Sequence, residues 1–139
     1  MKKNPVVHFE MPYENHERLM KFYNQTFGWE LQKFGADMGN YITAATAETD
    51  ENRMVKTPGA INGGFFPKAQ AQYAGTSVVI SVDDIKAAMK KITDAGGKVE
   101  GEPMEIPGIG QWVVFTDTEG NRVSIMEPTM EMKEKAKER

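Results

Sequence analysis

The stretch PVVHFEMPYENHERLMKFYNQTFGWEL, residues 5–31, is typical of a strand followed by a tight connection and an amphipathic helix. Val6–Glu10 is short and rich in β-prone residues, and Pro12 is predicted to end the strand. Asn15 is a suitable N-cap and Gly28 a suitable C-terminal stop, so the residues between them are predicted to form a helix.

The two faces of this strand differ in chemistry. Side chains alternate along a strand, so His8 and Glu10 share one face while Val7 and Phe9 share the other. The apolar face is expected to pack on the apolar stripe of the helix, which consists of Leu19, Phe22, Tyr23 and Phe27. His8 and Glu10 are therefore the catalytic candidates, with His8 as a general base or ligand-binding group and Glu10 orienting its imidazole. A structural histidine with satisfied hydrogen bonds is the competing interpretation.

The same order of elements occurs twice along the chain. In the first half, three strands are predicted after the helix: one starting at Trp29, one at Tyr41–Ala44 and one near Ala60–Phe66. In the second half, the predicted elements are a strand at Thr76–Val82, a helix capped by Asp83 or Asp84, and strands at Lys98–Glu100, Gln111–Thr116 and Arg122–Met126. Glu48–Lys56 is predicted to be a mobile loop and Pro103–Gly110 a second loop.

This repetition predicts an α+β fold. At 139 residues the chain is expected to form a single domain, 1–139. It would consist of a first module at about 5–67, a linker at about 68–75, a second module at about 76–128 and a charged tail at 129–139. Each module covers one sheet face with its own helix, and two remaining faces curling towards each other would form a concave pocket.

Composition excludes several classes of function. The net charge is −3, and no cluster of lysines and arginines precedes the last few residues, so nucleic acid is not an expected partner. There are no cysteines, which excludes disulfides and thiolate chemistry and fits a cytoplasmic protein. No signal peptide or membrane span is predicted, so no membrane partner is expected.

Seven short segments are informative through their order and spacing: HFEMP at 8–12, KFY at 21–23, FGW at 27–29, INGG at 61–64, ISVDD at 80–84, AGG at 95–97 and FTDTEGN at 115–121. In this order they resemble the vicinal oxygen chelate superfamily, which includes glyoxalase I, bleomycin-resistance proteins and extradiol dioxygenases. The resemblance implies two βαβββ modules in tandem, whose curved mixed sheets surround one cavity for a small organic molecule. It also implies a homodimer.

In the metal-dependent members of that family, four strands each supply one metal ligand. His8 occupies the first of these positions. Ser77 and Ser124 occupy two others, and residues 62–64 offer no carboxylate at the fourth. Hydroxyl groups are poor ligands for divalent iron, nickel or zinc, so we predict no metal or other cofactor, with His8 the only ligand if a metal is bound. A divalent metal held by a site that a second subunit completes is the alternative.

Residues on the predicted cavity strands are candidates for ligand binding, although packing as ordinary core residues is the alternative for each. They are Tyr41, Asn62, Phe65, Ser77, Val79, Trp112, Ser124 and Met126. The sequence therefore predicts a glyoxalase-like protein that binds a small molecule without the full metal site. A metal-dependent lyase, isomerase or dioxygenase and a non-catalytic interaction protein are the alternatives.

Overall fold

The computed structural model describes residues 2–52, 54–70 and 75–137. These residues form two compact units, which we call the first unit (within residues 8–76) and the second unit (residues 2–7 and 77–137). The boundary differs from the predicted first module, because residues 2–7 belong with the second half of the chain. A backbone hydrogen bond explains part of this assignment, since the Ser81 N–H donates to the Pro5 carbonyl at 2.9 Å.

The first unit has the predicted order of one strand, one helix and three strands. Its elements are β1 (Val6–Tyr13, in this unit from His8 onward), α1 (His16–Phe27), β2 (Glu30–Lys33), β3 (Ile42–Ala45) and β4 (Asn62–Pro67). Short 3₁₀ turns occupy Ala36–Met38 and Lys68–Gln70. The strand order is β2-β3-β4-β1, in which β1 and β4 are parallel and the other pairs are antiparallel.

Local sequence explains the limits of α1. The Asn15 side chain accepts a hydrogen bond from the Arg18 N–H at 3.0 Å, which satisfies one of the free donors at the helix start. Gly28 ends the helix in the left-handed conformation at φ 73°, where a side chain would be strained. The prediction that Pro12 ends β1 was wrong. Proline removes only its own N–H, and pairing with β4 continues through Pro12 to Tyr13.

The core of the first unit is rich in aromatic side chains. Tyr13, Ile42, Ala44 and Phe65 are buried, and the partly buried residues packed around them are Phe9, Met11, Leu19, Met20, Tyr23, Trp29 and Leu31. Two members of the predicted helix stripe do not join this core, because Phe22 is 54% exposed and Phe27 is 60% exposed. Leu19, Met20 and Tyr23 carry the packing of α1, so the packed stripe differs from the predicted one.

The second unit repeats the order and ends in a further helix. Its elements are β5 (Ser77–Ser81), α2 (Ile85–Asp94), β6 (Lys98–Ile106), β7 (Gly110–Thr116), β8 (Arg122–Pro128) and α3 (Met130–Lys137). The strand order is β5-β8-β7-β6, with β5 and β8 parallel and the other pairs antiparallel. Asp84 caps α2 by accepting a hydrogen bond from the Ala87 N–H at 3.1 Å.

The loop predicted at Pro103–Gly110 was too long. β6 runs to Ile106 and continues to pair with β7 after an irregularity between Glu100 and Met104. Gly101 lies in this irregular stretch at φ 80°, a conformation that glycine adopts without strain. The chain can therefore bulge and resume the ladder.

Aliphatic side chains dominate the core of the second unit. The buried residues are Val82, Ile85, Val113, Phe115 and Ile125, and the helix contributes Ala88, Met89 and Ile92 at its edge. Ile85, Ala88, Met89 and Ile92 thus form the apolar stripe of α2 that packs on this core. Each unit packs a helix, α1 in the first and α2 in the second, against the core side of its strands.

Three further predicted segments have structure or lie outside the described residues. Glu48–Lys56 contains a small turn in which Thr49 and Val55 form an antiparallel bridge and the Asp50 side chain accepts from the Asn52 and Met54 N–H groups. Residues 71–74 of the predicted linker and 138–139 of the charged tail lie outside the described residues. In the described ranges, no helix combines the length and the apolar character needed to cross a membrane.

Candidate functional site

Three side chains of the first unit form a connected hydrogen-bond chain. The Tyr41 hydroxyl donates to Glu10 Oε2 at 3.0 Å, and the Tyr41 hydroxyl oxygen lies 2.9 Å from His8 Nε2. His8 and Glu10 are therefore linked through Tyr41, whereas the sequence predicted that Glu10 orients the imidazole itself. All three side chains are partly buried.

Strand register explains how these residues meet. On β1, His8 and Glu10 face away from α1, because the alternate residue Phe9 lies in the core with Trp29 and Phe65. On β4, Asn62 and Gly64 are the register partners of His8 and Glu10. The first unit therefore has one strand face, which we call the His8 face, that carries polar side chains opposite an aromatic core.

Tyr41 reaches this face from the residue before β3. The Gly64 backbone pairs with Glu10 on one side and with Thr43 on the other. A Cβ atom added to Gly64 would overlap the Tyr41 hydroxyl. The phenol ring thus crosses directly over a glycine to reach both polar groups of β1.

Burial controls the protonation of these groups. Desolvation lowers the pKa of His8 to about 4, so the imidazole is neutral at neutral pH. Desolvation also raises the pKa of Glu10, and the hydrogen bond from Tyr41 offsets part of that rise. The pKa of Tyr41 is raised by desolvation and then by the charge and hydrogen bond of Glu10, so the phenol keeps its proton.

These protonation states define what the site can do. A neutral imidazole offers one hydrogen-bond donor and one acceptor, and it can take up a proton from a bound molecule. A carboxyl whose pKa is raised by burial is closer to the range in which it exchanges protons near neutral pH. The arrangement therefore suits hydrogen bonding to a small polar molecule and proton transfer.

Asn62 lies beside His8 on the same face. Its Oδ1 accepts a hydrogen bond from the Thr46 N–H at 3.0 Å, and the Thr46 hydroxyl donates to the Ile61 carbonyl. The amide nitrogen of Asn62 makes no hydrogen bond within the described residues, and it is not fully buried. Asn62 thus offers a hydrogen-bond donor on the His8 face, and its role in ligand binding stays a prediction.

Phe65 lies elsewhere. It is 1% exposed in the core of the first unit, and its ring contacts Phe9 and Tyr23. Alternation along β4 turns Phe65 towards the helix and Gly64 away from it, so Phe65 packs as an ordinary core residue, which was the alternative for each candidate. The neighbouring Gly63 confirms this parity, since a Cβ there would overlap the Phe9 ring.

The remaining candidates belong to the second unit and lie on the strand face opposite the core residues Ile80, Val113 and Ile125. Register pairs join Val79 with Ser124 and Trp112 with Met126. Val79 and Ser124 are buried, while Ser77, Trp112 and Met126 are partly buried. The Ser77 hydroxyl donates to the Arg122 carbonyl at 3.1 Å.

The donor chemistry of these residues does not fit a divalent metal centre. The described residues contain no group of three or more histidine, cysteine, aspartate or glutamate side chains placed to hold a metal ion. On the His8 face, the Nε2 atom of His8 already contacts the Tyr41 hydroxyl, and Gly64 offers no side-chain donor. The remaining candidates, Ser77 and Ser124, offer only neutral hydroxyl groups.

Sequence reasoning missed the role of Gly64 and the bridging role of Tyr41. Tyr41 was predicted to contact a ligand, yet its hydroxyl bonds to both polar residues of β1. The available signal was the pair of adjacent glycines in β4, since glycine within a strand indicates a close approach by another group.

The chain matches the family model of the Glyoxalase/Bleomycin resistance protein/Dioxygenase superfamily over residues 6–125. It is 34% identical over 120 residues to a glyoxylase-like domain-containing protein of Didymella fabae, a match that covers 84% of this chain and 88% of that protein. A 51-residue match at 39% identity to the putative glyoxylase CFP32 of Mycobacterium tuberculosis covers 37% of this chain and 20% of the longer protein.

Solved structures show the same fold at low sequence identity. A hypothetical protein from Bacillus halodurans superposes with a TM-score of 0.67 at 14% identity, covering 92% of this chain and 96% of that one. Methylmalonyl-CoA epimerase from Mycobacterium tuberculosis superposes with a TM-score of 0.63 at 14% identity, covering 93% of this chain and 91% of the epimerase. At this identity the likeness concerns the fold.

Proposed function

Because this chain belongs to the Glyoxalase/Bleomycin resistance protein/Dioxygenase superfamily, we propose that it binds a small organic molecule against the His8 face of its first unit, without a catalytic divalent metal. The observation that carries this proposal is the hydrogen-bond chain through His8, Tyr41 and Glu10. The nature of the ligand and any reaction are also matters of proposal.

Burial of polar groups supports a ligand-binding role. Taking an imidazole and a carboxyl out of water costs free energy, and apolar residues would stabilise an ordinary strand face better. The direction of both pKa shifts reflects that cost. Such groups are often found where a protein binds or transforms a ligand.

Acid–base chemistry on the bound molecule is the reaction class that these groups support. His8 is neutral at neutral pH and Glu10 has a raised pKa, so the pair can accept and return a proton. Methylmalonyl-CoA, the compound in the name of one structural relative, belongs among the compounds to be tested. Binding without reaction is equally consistent with this proposal.

A ligand screen by thermal unfolding tests the proposal. Purified protein, with metals removed by a chelator, is melted in the presence of aromatic and hydrophobic carboxylic acids, hydroxy ketones and methylmalonyl-CoA. We expect at least one compound to raise the melting temperature, since a ligand that binds only the folded state stabilises it. His8→Ala should weaken the binding of that compound by about 10-fold, the equivalent of one hydrogen bond.

His16→Ala is the matched control for His8→Ala. His16 is the only other histidine, it lies at the start of α1, and its side chain is 43% exposed. It should leave ligand binding unchanged. If no compound stabilises the protein, the interaction-protein alternative is favoured. If elemental analysis finds stoichiometric metal that is lost on His8→Ala, the metal-dependent alternative replaces our proposal.

We also expect a homodimer and a cytoplasmic location, both of which remain predictions. Sedimentation equilibrium would measure the mass of the particle against 15.6 kDa for one chain. Fractionation of the source cells would test the location.

A further inference from the structure

We propose that Tyr41, seated over Gly64, is a positioning residue that fixes His8 in the Nε2–H tautomer and so leaves the Nδ1 lone pair for a ligand. This inference rests on the proposed ligand site and adds to it the hydrogen-bond chemistry that a ligand must have. It depends on contacts among His8, Tyr41 and Gly64 that the protein makes without a bound molecule.

The hydrogen bonds of the Tyr41 hydroxyl determine which nitrogen of His8 carries the proton. A tyrosine hydroxyl has one proton, and an ionised Glu10 carboxylate can only accept, so with Glu10 ionised the Tyr41 proton is donated to Glu10 Oε2 at 3.0 Å. The Tyr41 oxygen can therefore only accept from His8 Nε2, which lies 2.9 Å away. The proton of the neutral imidazole is thus on Nε2, and Nδ1 is a hydrogen-bond acceptor.

The other ring nitrogen of His8 is Nδ1. This atom has no hydrogen-bond partner in the described part of the chain, and it is not among the buried polar atoms that lack one. It is consequently not fully buried. A ligand at this position must donate a hydrogen bond or a proton, as a hydroxyl, an N–H group or an acidic C–H does.

The absence of a side chain at Gly64 makes room for the Tyr41 hydroxyl. Only a residue without a Cβ lets the Tyr41 hydroxyl lie where it reaches both β1 side chains, because an added Cβ would overlap that hydroxyl. Gly64 also pairs directly with Glu10 across the ladder. Gly64 thus helps to orient the His8 imidazole by making room for the Tyr41 hydroxyl.

Nitrogen-15 NMR of the histidine rings tests this inference in the ligand-free protein. The chain has two histidines, and His16→Ala identifies the signals of His8. In the unmodified protein at pH 7, we expect Nε2 protonated and Nδ1 unprotonated. Tyr41→Phe, which removes one oxygen, should abolish the preference for a single tautomer, and Gly64→Ala should do the same by displacing the hydroxyl.

Two matched variants separate positioning from general disturbance of the fold. Tyr13→Phe removes a hydroxyl that donates to the Asn40 carbonyl in the same unit. Gly63→Ala adds a methyl group next to Gly64 but against Phe9 on the opposite face. Both should retain the His8 tautomer. If Gly64→Ala fails to fold, Tyr41→Phe decides alone.

The inference is overturned if His8 carries its proton on Nδ1, if Tyr41→Phe leaves the tautomer unchanged, or if Tyr13→Phe alters it as strongly. With a compound from the thermal screen, Tyr41→Phe should also weaken binding or slow turnover, since a misplacement of about 1 Å can cost about 100-fold. The expected tautomer together with an empty ligand screen would remove the proposed function and leave the positioning role of Tyr41 intact.

Discussion

The two units share an order of elements but differ in the side chains on the strand face that points away from the core. In the first unit, His8, Tyr41 and Glu10 bond to one another through their side chains. In the second unit, Ser77 donates to a backbone carbonyl, and Val79 and Ser124 are buried. The core pattern is enough to specify the βαβββ order, so the other face of each unit is free to differ in chemistry.

The cores also differ, because the first unit has an aromatic core and the second a mainly aliphatic one. The prediction with the largest expected effect tests this difference. Phe65→Ala should lower the free energy of unfolding by about 3–5 kcal/mol, because the ring is 1% exposed and its removal leaves a cavity beside Phe9 and Tyr23. Urea denaturation measures this change. In the aliphatic core, Ile125→Val should cost only about 0.5–1.5 kcal/mol.

Phe27→Ala is the control for Phe65 within the first unit. Its ring is 60% exposed, so we expect a cost below about 1 kcal/mol. Equal costs for the two phenylalanines would contradict the assignment of Phe65 to the core and return it to the list of ligand contacts.

The partly buried His8 on the His8 face should make the stability of the first unit depend on pH. The pKa of His8 is about 4 in the folded protein against 6.5 for the free side chain. Between these values the unfolded chain binds more protons than the folded one, so stability falls as the pH falls from 6.5 to 4. The difference corresponds to about 3 kcal/mol.

Unfolding curves at a series of pH values measure this effect. Glu10 and Tyr41 face His8 and have raised pKa values, and the folding cost of ionising Glu10 acts in the opposite direction, growing as the pH rises. His8→Ala should flatten the decrease between pH 6.5 and 4, whereas His16→Ala should preserve it. An unchanged slope in His8→Ala would show that His8 is not desolvated.

The smallest expected effect tests where the two units are alike. Asn15 caps α1 and Asp84 caps α2, each by accepting from the N–H three residues further on. Asn15→Ala and Asp84→Ala should each cost about 1 kcal/mol, with Asp84 somewhat more sensitive to salt because its charge also interacts with the helix dipole. Thermal melts at low and high salt provide the measurement, and no change in either variant would refute the capping role.

Much of the architecture could be predicted because helices, strands and turns have local signals. Asn15 and Gly28 bracket α1, and the stripe of α2 indicates which side is buried. The error at Pro12 arose because proline was interpreted as the end of a strand, and the loop at Pro103–Gly110 was predicted from local turn signals. In both places the neighbouring strand continued the ladder, and pairing between distant segments is invisible in a local pattern.

By itself, the sequence determined the α+β class, the repeated βαβββ order, the superfamily and the shared face of His8 and Glu10, because each depends on periodicity or on short motifs. Only the tertiary structure decided that Tyr41 stands between those two residues and that Phe65 turns into the core. Tyr41 is 33 residues from His8 and 31 from Glu10, and β4 pairs with both β1 and β3 to bring them together. The hydroxyl reaches both partners because Gly64 leaves the space empty, a condition that no local pattern expresses.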